Sequence, residues 1–308
     1  MLNTYQYKKL TWIDLQAPTP NEVREVVDKY KIQPLIAEEL ITPNVKPKVD
    51  IYPEHIYLIL HFPTFKRNDG LSDGSAQEID FIIGKDFIIT AHDKEIEPLR
   101  IFAKSFEINS ILDKRQIGEH AGYIFYYMMR AIYNSLHDEL EYTHSSLNAA
   151  EHKIFHGEEK NMVFRLSEIN RDVLIFRESL NLHKEVLTSF EAAGKRFFSF
   201  DDKFDYYLRD IVGEFYKVQN STQNCKDYLE ELRRTNDSLL STKQNEVMKT
   251  FTIMAFFFLP LTFIGQLFGM SIHYFPLEND PNAFWEIGLT MLAIVVVTYA
   301  LFRRNKWM

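Results

Sequence analysis

Residues 251–270 contain no Asp, Glu, Lys or Arg, yet polar atoms recur through this stretch at helical spacing. Stepping alternately by three and four selects Asn245, Met248, Thr252, Ala255, Leu259, Thr262 and Gln266. The positions between them, including Phe251, Phe256, Phe257, Phe258, Leu261, Phe263 and Leu267, are bulky and suit lipid or neighbouring helices. Polar groups inside a bilayer need a partner, so the Asn, Thr and Gln stripe must meet either another helix or water. Packing against a second apolar helix is one account of it. The other is an aqueous pathway, which two helices of one chain cannot enclose and which therefore requires several copies around an axis. Beyond the stripe stand Gly269, Met270 and Ser271, then a loop at 277–282 that carries Glu278 and Asp280 and no Lys or Arg. Such a loop concentrates cations at a mouth, by an attraction screened over about 10 Å. Gly269 permits an unusual backbone turn there, and Pro260 lacks an N–H and so frees the carbonyl of Phe256.

Two apolar elements must hold these groups. A hydrocarbon core of about 30 Å needs roughly 20 apolar helical residues, and 249–270 and 283–302 each supply that length. Lys243 and Lys249 precede the first segment, while Arg303, Arg304 and Lys306 follow the second. That distribution places both termini in the cytoplasm, and Trp285 and Trp307 bracket the second segment at interfacial positions. Residues 1–10 are polar and do not read as a secretory signal. The lone Cys225 forms no intrachain disulfide.

The formal net charge is −8, and outside the last fifth of the chain charges are scattered throughout. Strand-like runs occur at 57–62, 79–83 and 87–91, with a turn at 84–86. A helix is predicted after Thr19-Pro20, with Asn21 as its cap. From about residue 95 onward glycine and proline become scarce, and long antiparallel helices are expected, broken at Gly118, Gly157 and Gly194. Phe204, Leu208, Ile211, Phe215, Val218, Thr222, Cys225, Leu229, Leu232, Asn236 and Leu239 follow a heptad-like seam that wants a partner helix, either within the chain or from another copy. Nothing breaks that helix before the first apolar segment, so a single helix of roughly 100 Å is predicted.

Residues 245–276, NEVMKTFTIMAFFFLPLTFIGQLFGMSIHYFP, resemble the stalk end, first span and signature loop of the CorA magnesium transporters. The terminal FRRNKWM, the WIDL at 12–15 and the stretch 34–60 are similar to further parts of that family. The resemblance implies an α+β cytosolic domain, a long stalk helix and two transmembrane helices, assembled as a pentameric funnel. It divides the chain into a cytosolic α/β domain at 1–95, a helical region at 96–203, a stalk at 204–248, a pore-lining span at 249–270, an extracytoplasmic loop at 271–282, a second span at 283–302 and a basic tail at 303–308. Carried over by position, Asn245, Met248, Phe251, Leu259 and Thr262 line the path, and Met248 and Phe251 form its hydrophobic constriction. The periodicity chose Thr252 where the resemblance implies Phe251.

The family's loop signature is Gly-Met-Asn, whereas this chain reads Gly269-Met270-Ser271. Magnesium surrenders water reluctantly, so a ring of amides at the mouth suits recognition of the hydrated ion. A serine ring is wider and less electronegative, which puts selectivity in question. The resemblance also implies regulatory magnesium bound by cytosolic acids between neighbouring domains, at the positions of Glu39 and Asp210.

His152 and His156 share a helical face but have no third ligand nearby. No phosphate loop, CxxC pair or Ser/His/Asp spacing supports an enzyme. The function expected is a homo-oligomeric channel in the inner, cytoplasmic membrane that passes hydrated magnesium or another divalent cation and is gated by cytosolic metal. A zinc, cobalt or nickel transporter of the same fold and a non-conducting coiled-coil scaffold are the alternatives. The partners expected are further copies of the chain and the bilayer, not nucleic acid.

Overall fold

The structure, a computed structural model, describes residues 1–42, 46–63, 76–107, 117–197, 202–269 and 282–304. The chain forms two compact units, Met1–Arg234 and Thr235–Met308.

The first unit is built on a six-stranded sheet of β1 (Leu2–Tyr7), β2 (Leu10–Gln16), β3 (Lys48–Ile51), β4 (Ile56–Pro63), β5 (Ala76–Ile83) and β6 (Phe87–His92), in the order β1-β2-β6-β5-β4-β3. Only the β2–β6 pair is parallel; the other four pairs are antiparallel. β4 is a nearly continuous apolar run and β5 is apolar over its second half apart from Asp80, because both of their faces are covered. One face carries α1 (Pro20–Tyr30) and α2 (Pro34–Glu39), whose Val23, Val26 and Ile36 pack with Tyr57, Ile59, Ile82 and Ile89. The other carries α3 (Glu97–Glu107), α4 (Gly122–Phe155) and α6 (His183–Phe197), where Phe81 meets Phe125, Phe125 meets Phe190, and Trp12 meets Phe102 and Phe106.

The predicted helix after Thr19-Pro20 is α1, but its cap is Thr19 and not Asn21. The Thr19 hydroxyl accepts from the Glu22 N–H, and the Glu22 carboxylate accepts from the Thr19 N–H, which closes a capping box around a proline at the first helical position. β1, β2 and β3 were not among the predicted runs. β1 is an edge strand with mostly half-buried or exposed residues, and β3 is a four-residue edge strand, so neither has the apolar density that marks the central strands.

α4 and α5 (Glu159–Leu180) double back through a turn at Gly157, whose φ of 95° is a backbone conformation that favours glycine. Gly194 itself is buried inside α6, which ends three residues later at Phe197, and a further turn at Asn181 and Leu182 separates α5 from α6. Packing overrides the glycine's weak local preference at Gly194.

α7 (Asp202–Gly269) is one uninterrupted helix of 68 residues that continues through Pro260. Its first part supplies the seam foreseen in the sequence, with Phe204, Leu208, Ile211, Phe215, Val218, Thr222, Cys225, Leu229 and Leu232 all buried. The seam is filled by the protein's own helices. Phe204 meets Tyr123, the Cys225 thiol reaches the Leu140 carbonyl at 3.8 Å, Tyr228 bonds Asn148 and Glu151, and Arg233 reaches Ser167. Of the two partners the sequence left open, the chain's own helices cover this part of the seam.

The second unit holds the rest of α7 and α8 (Ala283–Arg304). Each contains an 18-residue window of mean hydropathy 1.9, none of it buried within the chain, and each is long enough to cross a membrane.

Candidate conduction path and metal-binding acids

The two apolar helices meet along complementary stripes. On α7 the half-buried residues are Ile253, Phe257, Pro260, Leu261 and Ile264; on α8 they are Ile287, Met291, Ile294, Val295 and Thr298, with Phe302 buried. The Phe302 ring lies 5.7 Å from that of Phe256 and 6.0 Å from that of Phe257. A methyl group at Gly265 would touch Met291 at 3.8 Å, so α8 passes close to the α7 backbone there.

Seen down α7 at roughly 100° per residue, Met248, Ala255, Thr262 and Gln266 lie about half a turn from the Ile253, Phe257 and Ile264 line. Met248 and Phe251 are each 63% exposed and Leu259 is 68% exposed, and Asn245 and Thr262 are exposed as well. Phe251 and Thr252 flank the midline of this face on opposite sides by similar angles, so both belong to it. The Thr252 hydroxyl donates to the Met248 carbonyl and the Thr262 hydroxyl to the Phe258 carbonyl, both at 2.8 Å. Each threonine proton is thus satisfied within the helix, and the oxygen keeps its acceptor lone pairs. Gly269 is the last residue of α7; Met270, Ser271, Glu278, Asp280, Lys306 and Trp307 lie outside the described residues.

The two acids that the family resemblance singles out sit on different elements of the first unit, Glu39 at the end of α2 and Asp210 in α7. Each already has a donor from its own chain. The Lys48 ammonium of β3 lies 2.8 Å from Glu39 Oε1 and 2.7 Å from Oε2, and also 2.8 Å from Asp50 Oδ2. Burial works against that ammonium, but its hydrogen bonds to Asp50 and Glu39 prevail and raise its pKa above the ordinary lysine value. Asp210 accepts a 2.6 Å bond from the Tyr126 hydroxyl, whose oxygen in turn accepts from Arg130 at 3.2 Å. Burial, then the bond to Asp210, raises the Tyr126 phenol.

Sequence reasoning missed a third feature beside Glu39. A cavity of about 470 Å³ is lined by Glu39, His61, Glu78, Asp80, His92 and Asp93 among others. Asp80 is 6% exposed and accepts a 2.6 Å bond from the Tyr57 hydroxyl, and burial pushes its pKa up to about 8 despite that bond. A single acid inside the apolar run IDFII was the available signal, since a central strand buries both faces. His152 and His156 stack with ring centroids 3.9 Å apart. Among the described residues, no three His, Cys, Asp or Glu side chains are grouped so as to hold a metal ion.

Residues 7–304 match the family model for the CorA-like Mg²⁺ transporter protein. The chain belongs to that family. The CorA-like chain is 24% identical over 300 residues to the cobalt/magnesium transport protein CorA of Thermotoga maritima, a match covering 97% of this chain and 83% of that protein. It is 21% identical over 306 residues to the protein of the same description from Methanocaldococcus jannaschii, covering 99% and 93%. The complete structure of the CorA magnesium transporter from Methanocaldococcus jannaschii superposes with a TM-score of 0.83 at 20% identity, over 99% of this chain and 94% of that one. The CorA-like fold is thus an α+β unit, a long helix and two helices of membrane-spanning length. Members of the family are ion transporters and not enzymes.

Proposed function

We propose that several copies of this chain, five by the family's pattern, surround a shared axis with the exposed face of α7 toward it and pass hydrated divalent cations, magnesium first. The observation that carries the reading is the placement of Met248, Ala255, Leu259 and Thr262 about half a turn away from the stripe used by α8. Among the described residues that face has no partner within its own unit, and its threonine oxygens accept hydrogen bonds, as the outward-pointing protons of a cation's water shell require. Asn245, Met248, Phe251, Leu259 and Thr262 line the path, and Gly269, Met270 and Ser271 form its mouth. Both termini lie in the cytoplasm and the helices cross the inner membrane, in keeping with Arg303 and Arg304 at the end of α8. Cytosolic metal held between copies by Glu39 and Asp210 keeps the assembly shut, because clustered carboxylates repel unless a hard cation neutralises them.

A second cargo is favoured by one residue: Ser271 where the family has asparagine is consistent with a path for cobalt, zinc or nickel. Uptake of magnesium, cobalt, zinc and nickel into liposomes containing the purified protein, for wild type and Ser271→Asn, tests both readings. Magnesium flux is expected in wild type, with Ser271→Asn raising magnesium over the other three. No metal flux from intact oligomers would leave only a scaffold role, and an unchanged ion ranking would remove Ser271 from the account of the mouth.

A further inference from the structure

We propose that Lys48 is a tethered counter-ion that competes with the regulatory metal for Glu39, and so sets the cytosolic metal concentration at which the assembly closes. The inference rests on the reading of Glu39 as a regulatory ligand and adds to it the residue that tunes its affinity.

The Lys48 ammonium touches both oxygens of Glu39, at 2.8 and 2.7 Å, and one oxygen of Asp50 at 2.8 Å. It thus occupies the position between two carboxylates that a small cation would take. Glu39 and Lys48 are well shielded, with side-chain exposures of 20% and 31%, while Asp50 is 40% exposed. The ammonium is further steadied over the Tyr57 ring, 5.1 Å from its centroid. β3, which holds Lys48 and Asp50, pairs with β4 from Lys48↔Ile59 to Ile51↔Ile56, so the lysine backbone is fixed on the sheet edge rather than on a free loop.

A cation coordinating Glu39 must displace that ammonium or share the carboxylate with it, and like charges at such range repel. With no metal present, Lys48 holds Glu39 in an ion pair, so a divalent cation must outcompete the ammonium before that carboxylate can join copies. When the metal concentration rises, Lys48 can swing to Asp50 alone and leave Glu39 to the metal. The threshold for closure is then the outcome of an exchange between a tethered monovalent cation and a free divalent one.

The test is magnesium efflux or uptake in liposomes containing the full-length protein, with magnesium on the cytosolic side varied over a wide range. Lys48→Gln should lower the half-inhibiting magnesium concentration by about two- to fivefold, the ratio supplied by freeing one partly exposed ion pair. Lys48→Arg, which keeps the charge, should stay near wild type. Asp50→Asn leaves the ammonium committed to Glu39 and should raise the half-inhibiting concentration, which provides a second arm if Lys48→Gln does not fold. Glu39→Gln separates the two ideas. If Glu39→Gln abolishes inhibition while Lys48→Gln leaves the threshold unchanged or higher, the counter-ion role is wrong and the regulatory role of Glu39 stands. Inhibition unaffected by Glu39→Gln would overturn both.

Discussion

At the scale of single residues, the first unit depends on buried polar groups whose partners come from distant parts of the chain. His183 at the start of α6 has no exposed surface; its Nδ1 lies 2.9 Å from the Tyr133 hydroxyl of α4, and its Nε2 lies 2.7 Å from the His61 carbonyl of β4. A neutral ring protonated on Nε2 satisfies both contacts, donating to the carbonyl and accepting from the phenol. Burial lowers the pKa of His183 from 6.5 to about 4. An unfolded chain takes up a proton here as pH falls below 6.5, whereas the folded chain does so only near 4. The contribution of His183 to stability is therefore complete above pH 6.5 and erodes as pH falls through the window down to about 4, with a slope of at most about 1.4 kcal/mol per pH unit. Urea unfolding of the protein in detergent, followed by circular dichroism, will show this as a steeper loss between pH 6.5 and 4 in wild type than in His183→Ala. The same substitution will cost about 3 kcal/mol at neutral pH by removing a buried ring and two hydrogen bonds. Parallel pH profiles for the two proteins would refute the assignment. His183 could not be read as a buried polar anchor from the sequence, because residue type does not say which side chains a later helix will cover, whereas Asp80 was marked only by its place within the apolar run IDFII. Lys48 was hidden for the same reason: nine positions from Glu39 along the chain, it reaches that carboxylate only because β3 folds back beside α2.

The scale of elements is where the sequence was most legible. α7 shows itself because its apolar period is sustained over many turns and no strong breaker interrupts it, and β4, β5 and β6 show themselves because the sheet's interior demands short runs rich in apolar residues. What the period could not reveal was the partner of the seam. A row of apolar residues is equally suited to a second copy and to a helix of the same chain, and the choice depends on how α4 and α5 fold back. Leu229 tests that distinction, being fully buried between neighbours of its own unit. Leu229→Ala will lower unfolding stability by about 2–5 kcal/mol while leaving the oligomer mass of the folded fraction unchanged. Dissociation of otherwise well-folded protomers, measured by light scattering in detergent, would return the seam to the interface between copies. Glycine was the least dependable guide at this scale. Gly157 turns the chain through a positive φ, whereas Gly194 is itself packed within helix and the helix ends only three residues later.

For the whole molecule, the question is why a helix pair with such an apolar exterior keeps one further face in reserve. The stripe joining α7 to α8 is used up by Phe257, Leu261, Ile264, Met291, Val295 and Phe302, and lipid suits Phe256, Phe258 and Phe263 on the flanks. Met248 and Phe251 stand near the N-terminal start of the span, on the face about half a turn from α8, and each is 63% exposed within its chain. If that face surrounds a path, a ring of thioethers followed by a ring of phenyl groups makes a dry constriction, which holds back a hydrated cation by excluding the water it will not surrender. Met248→Ser together with Phe251→Ser will wet this constriction and raise magnesium flux under inhibiting cytosolic magnesium by about tenfold, the change given by removing about 1.4 kcal/mol of barrier. Since neither side chain is packed within its own unit, the double variant will unfold within about 1 kcal/mol of wild type. Phe257→Ser is the control, because it attacks the α7–α8 seam: it will lower stability without opening the path. A flux that responds to Phe257→Ser and ignores the Met248 and Phe251 changes would mean that the path runs along the other side of the helix, and the exposed face would then belong to lipid.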